Sequence, residues 1–191
     1  MTTATHQAQQ TLWVKQRITL TVNQFEVRLV NDDGTMGQVV AFAEQKRLAL
    51  NEQVTFYRDG SKTGVFAAFK ARGVMNPEAT YDVTGETGAP IGLFRKDLTP
   101  SLVRNTWHLD QPGLGTTTGR ERSTMVALVR RLGWLTFWPY HFAFTRDGRP
   151  AFSVSKKFGP RYQYVVTIND LRLDPRLVIA MSVALNALRA C

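Results

Sequence analysis

Residues 177–190 read LVIAMSVALNALRA, eleven of fourteen of them apolar, and the exceptions Ser182, Asn186 and Arg189 fall four and three apart on one narrow stripe. A helix on a protein surface shows a broad polar face, whereas one that is apolar nearly all round is buried on most sides or lies in a membrane. Asp174 and Pro175 just upstream are a good helix start, Asp as N-cap and Pro at the first helical position. The longest apolar stretch, residues 177–188, is interrupted by Ser182 and Asn186 and is shorter than the ~20 residues that span a bilayer, so no transmembrane helix is predicted. A flat sheet covers a helix on one side only, but a closed sheet covers it on all. The segment therefore points to a closed antiparallel β-barrel filled by its own C-terminal helix. About ten or more strands are needed, because eight leave room only for the barrel's own side chains.

The rest of the chain supplies those strands. Four times a strand-like run meets a glycine-containing turn and resumes as a second run, the signature of a hairpin. The turns are Asp33-Gly34, Asp59-Gly60, the TGETG run ending at Gly88, and Asp147-Gly148. FEVRLV, VTFYR, ATYDV and HFAFTR precede them, and GQVVAFAEQK, GVFAAFKAR, PIGLFRKD and PAFSVSKKF follow. Gly34, Gly60 and Gly85 recur at about 26 residues, the length of a hairpin and its link, so a meander is predicted. Residues 118–132 break the pattern. Met125, Leu128, Val129 and Leu132 fall at helical spacing behind Thr118 and Glu121, which form a capping box, so a short amphipathic helix is predicted there.

Length and composition set the remaining bounds. A chain of 191 residues that is 43% apolar holds one core, which excludes disorder as a description of the whole. Residues 1–10 have no apolar run behind a positive start and are predicted to be a disordered tail, with 11–191 as a single barrel domain and a cytoplasmic location. The one cysteine, Cys191, permits neither an intrachain bridge nor a cysteine zinc site. Lys and Arg number 24 against 15 Asp and Glu, a net +9 that favours polyanionic partners.

The order FEVRLVNDDGTMGQVVAFAEQ, VTFYRDGSKTGVFAAFKARG, ATYDVTGETGAPIGLFRKDL, FTRDGRPAFSVSKKFG and the closing DPRLVIAMSVALNAL resembles the tubby C-terminal-like superfamily, in its LURP-one-related and phospholipid-scramblase-like branch. The resemblance spans roughly residues 11–190. It implies about twelve strands around a central hydrophobic helix, and association with membranes, phosphoinositides or lipid movement. Scramblase-like members typically carry a Pro-rich N-terminal extension and a cysteine cluster, and this sequence has neither, so the resemblance does not carry scrambling across.

The strands that follow the four turns all end in cations: Lys46 and Arg47, Lys70 and Arg72, Arg95 and Lys96, Lys156 and Lys157. In an up-and-down meander alternate strands run the same way, so these ends are expected on one rim, as a candidate site for anionic lipid. Each basic side chain near such a surface contributes ~1 kcal/mol. In RRLGWLTFWPYHF, the residues Arg130, Arg131 and Trp138 mix cations with an amphipathic aromatic, as membrane-interface segments do, while Trp134 and Phe137 read as core. The run GLGTTTG matches neither G-x-G-x-x-G nor a Walker loop and reads as a flexible loop. His6, His108 and His141 are too far apart to form a metal motif, and no cofactor is implied. The carboxylates Glu26, Asp82, Glu86, Asp97 and Asp110 are scattered, and no nucleophile motif accompanies them. Ser182 and Asn186 are expected to satisfy barrel backbone or water, and Arg189 to emerge at the mouth.

The expectation is a non-enzymatic barrel that binds an anionic membrane surface or phospholipid headgroups. Its rivals are a soluble module for an acidic protein partner and a scramblase-like lipid-handling protein. Single-stranded nucleic acid trails, because no nucleic-acid motif supports it.

Overall fold

The computed structural model describes residues 9–18, 22–46, 53–73, 79–97, 106–121, 141–157 and 162–187. Its strands are β1 (Gln10–Ile18), β2 (Val22–Val30), β3 (Met36–Lys46), β4 (Gln53–Tyr57), β5 (Val65–Ala71) and β6 (Thr80–Gly85). They continue as β7 (Pro90–Lys96), β8 (Thr106–Gln111), β9 (Gly115–Glu121), β10 (His141–Arg146), β11 (Arg149–Lys156) and β12 (Tyr162–Ile168). One helix follows, α1 (Pro175–Ala187). Each strand pairs antiparallel with its sequence neighbours, and β1 closes the barrel against β12 with Gln10 opposite Ile168.

The four hairpins form where the turn chemistry predicts them. The Asp33 carboxylate accepts from the Thr35 backbone N–H at 2.9 Å, and Asp59 from that of Ser61 at 2.8 Å, so each Asp folds its own turn. Along β4 to β8 every strand sends one ring inward. Phe56, Phe69, Tyr81, Phe94 and Trp107 form a belt with neighbouring centroids 6.1, 5.9, 5.1 and 6.2 Å apart. Small residues such as Ala41, Ala43 and Ala67 face them from adjacent strands and leave room for the helix.

All nine residues from Leu177 to Leu185 are buried, which only enclosure on every side allows. Burying each large apolar side chain stabilises by about 1.5–3 kcal/mol over leaving it in water. Asp174 caps the helix by accepting from the Arg176 backbone N–H at 2.9 Å. The helix starts at the rim that carries the hairpin turns and runs through the barrel toward the rim where β3, β5, β7 and β11 end.

Two expectations change. Thr118 and Glu121 cap no helix: both lie in β9, where Thr118 pairs with His108 and Thr145, because cross-strand pairing overrides the local capping pattern. Residues 122–132 of that predicted helix lie outside the described residues. The GLGTTTG run is no flexible loop but the β8–β9 turn and the body of β9. Gly119 is required there because a Cβ would enter the ring of Phe144. Ser182 donates to the Val178 carbonyl at 2.7 Å, which offsets the cost of burying its hydroxyl, while the Asn186 side chain and Arg189 lie outside the described residues.

Candidate functional site

Because the barrel is a strict meander, β3, β5, β7, β9 and β11 run the same way and end on one rim, where β1 also ends. The registers fix this: Lys70 lies opposite Gln53, Arg95 opposite Thr80 and His108 in turn, Lys96 opposite Trp107, and Lys156 opposite Tyr164. Arg72 and Lys157 follow directly, their backbone N–H groups still bonded to Thr80 and Gln163. The predicted strand ends thus converge. Lys46 ends β3 there, its side chain outside the described residues, as are Arg47, Arg130, Arg131 and Trp138.

The cations on this rim differ in how committed they are. Arg72 forks onto the Asp82 carboxylate through Nε at 2.8 and 3.0 Å and Nη2 at 2.8 Å. Arg95 lies 3.7 Å from Asp110, and Lys96 sits 6.0 Å from the Trp107 ring centroid on the inward side of β7. Lys156 shares the inward parity of Phe152 and Val154. Lys70 and Lys157 are exposed and have no acidic partner among the described residues. So are Arg17 at the end of β1 and Arg120 at the end of β9, which the hairpin pattern does not reveal because no recognised turn precedes either strand.

The scattered carboxylates resolve into pairs, four with arginine and one with histidine. Glu26 meets Arg28, Glu86 meets Arg58, and Asp97 lies 3.8 Å from His108 Nε2, beside the Asp82 and Asp110 pairs. His141 bonds Ser155 across the β10–β11 pair. Among the described residues no cluster of His, Cys, Asp or Glu is grouped to hold a metal, and no helix is long and apolar enough to cross a membrane. The opposite rim carries mixed charge, with Asp33, Arg58, Asp59, Lys62, Glu86, Arg146, Asp147, Arg149, Asp170 and Arg172 in or beside its turns.

A twelve-stranded barrel threaded by an apolar C-terminal helix, with mixed charge at its turn rim and strand-end cations at the other, defines the architectural class. The chain belongs to the LURP-one-related family, whose family model matches residues 39–186, from within β3 to within α1. A comparison with curated proteins finds no match.

Proposed function

We propose that this LURP-one-related barrel is a non-enzymatic, peripheral cytoplasmic module that presents its strand-end rim to an anionic membrane surface or to phospholipid headgroups. The observation that supports it is the gathering of strand-end cations on one rim, with Arg17, Lys70, Arg120 and Lys157 exposed and without acidic partners among the described residues. At ~1 kcal/mol each, these four supply about 4 kcal/mol, a weak and reversible attachment that salt screens. The rim, not the lumen, is the working surface, because α1 occupies the space an acyl chain would need.

The orientation is tested by paired charge reversals in vesicle binding. Lys70→Glu with Lys157→Glu lowers affinity for anionic vesicles at least about tenfold, while Arg58→Glu with Lys62→Glu on the other rim leaves it within about twofold. Equal effects from the two pairs contradict the orientation. Recovery of an acidic protein by the wild-type chain in a detergent-resistant pull-down, with no vesicle binding, assigns the rim to a protein partner instead.

A further inference from the structure

At the turn rim, the mouth of the barrel holds a buried arginine that the membrane-facing rim does not use. Phe142, Phe144 and Arg146 alternate along β10 and are all buried, so Arg146 takes an inward place with 6% of its side chain exposed. Its Nη2 donates to the Asp170 carboxylate and its Nε lies 3.9 Å from Asp147, but Nη1 is buried with no hydrogen-bond partner. Asp170 is not its alone, since Arg172 donates to the same carboxylate through Nε at 2.9 Å and Nη2 at 3.1 Å. Arg149, opposite Arg146 in the hairpin register, is exposed and has no acidic partner among the described residues. Arg146, Asp147, Arg149, Asp170, Leu171 and Arg172 line a cavity of about 800 Å³.

Three guanidinium groups therefore stand beside only two carboxylates around one cavity, and Arg149 pairs with neither. Like charges opposite each other in a hairpin repel, and a buried charged N–H without an acceptor is unfavourable. One bound anion relieves both. We propose that this mouth is a binding site for a phosphate group, with Arg146 Nη1 as the buried donor and Arg149 and Arg172 as the outer donors. Phosphate fits better than a planar carboxylate because its tetrahedral oxygens can accept from three guanidinium groups at once. Arg149 and Arg172 are exposed, so either can change rotamer to meet an anion at the mouth. The site lies on the rim opposite the strand-end cations and stands whether or not that rim meets a membrane.

The test is an amide-shift titration of the whole chain with inorganic phosphate, against chloride at matched ionic strength. Saturable shifts at residues 146–149 and 169–172 are expected, with a Kd of about 1 mM or tighter, and little change near Lys70 and Lys157. Arg149→Gln and Arg172→Gln each weaken binding about tenfold, while the Lys70→Glu, Lys157→Glu pair leaves it intact. Arg146→Lys, which keeps the charge but loses Nη1, weakens it similarly; if that variant fails to fold, the two exposed substitutions carry the test. Glycerol phosphate and phosphatidylcholine vesicles containing phosphatidic acid separate the sources. A response to the soluble ester assigns a soluble ligand, and a response to vesicles alone assigns a lipid headgroup. No saturable response to any of the three probes, or binding unchanged in Arg149→Gln and Arg172→Gln, overturns the proposal.

Discussion

Gly92 of β7 lies against Leu177 of α1 so closely that a Cβ at position 92 would stand 2.7 Å from Leu177 Cδ2 and 2.5 Å from the Asp110 backbone oxygen. The helix can enter the barrel at that depth only because the wall carries no side chain there. Neither neighbour yields easily, since one is backbone and the other belongs to a fully buried leucine. Gly92→Ala is expected to cost about 1–3 kcal/mol or more, read as a lower midpoint in chemical unfolding. Gly60→Ala, which meets nothing within 4 Å, is expected to stay within about 0.5 kcal/mol of the wild type.

Enclosure makes a stronger demand on the middle of the helix. Ala180 and Ala184 are both 0% exposed, so a carboxylate at either place is cut off from water. Ala180→Glu and Ala184→Glu are each expected to destabilise by more than about 4 kcal/mol or to prevent folding. A wild-type melting temperature in both variants contradicts a helix inside the barrel.

The helix entry is also pH-sensitive. Burial pushes the Asp174 carboxyl up, but hydrogen bonds from the Arg176 guanidinium and backbone N–H outweigh it and hold the group below its ordinary pKa. Hydrogen bonds from Arg172 likewise lower Asp170, against the cost of its burial. A carboxyl with a depressed folded-state pKa stabilises fully above its unfolded value of about 3.9, and the contribution is lost as pH falls through the folded value. Thermal stability is therefore expected to drop below about pH 4. Asp174→Ala costs about 1–2 kcal/mol at neutral pH, and its stability curve converges with the wild type in acid.

Much of the barrel is legible in the sequence because its hairpins carry their own turn chemistry, as Asp33 and Asp59 do. The parts that are not legible depend on residues distant in the chain. β1 and β12 meet only across the seam, with Gln10 opposite Ile168 and no turn to announce them. β9 reads as a loop because its glycine is explained only by the Phe144 ring from β10. For the same reason the hairpin pattern does not place Arg17 and Arg120 on the rim, since none of the four hairpin turns precedes β1 or β9. Arg146 leaves a fainter signal, the alternation of Phe142, Phe144 and Arg146, which marks an inward arginine at a strand end.

Gln111 is another residue that the pattern does not single out. From the end of β8 its side-chain amide donates to the Arg172 carbonyl at 3.0 Å and accepts from the Asp174 N–H at 2.7 Å, clamping the loop that feeds α1. Gln111→Ala is expected to cost about 1–2 kcal/mol in equilibrium unfolding, and Gln111→Glu, which keeps the acceptor but not the donor, to fall between.

On the candidate rim, Asp82 holds Arg72 in a forked ion pair. Asp82→Asn removes a negative charge and loosens that grip. Affinity for anionic vesicles is expected to rise about three- to tenfold at low salt, with the gain shrinking as salt is added.

Co-flotation of the purified wild-type chain with neutral and with anionic liposomes, across a salt titration, tests the central claim most directly. Flotation with anionic vesicles alone, declining as salt rises, is the predicted result. Absence of flotation with anionic vesicles at low salt, or equal flotation with both kinds at every salt concentration, contradicts an electrostatic membrane-docking rim.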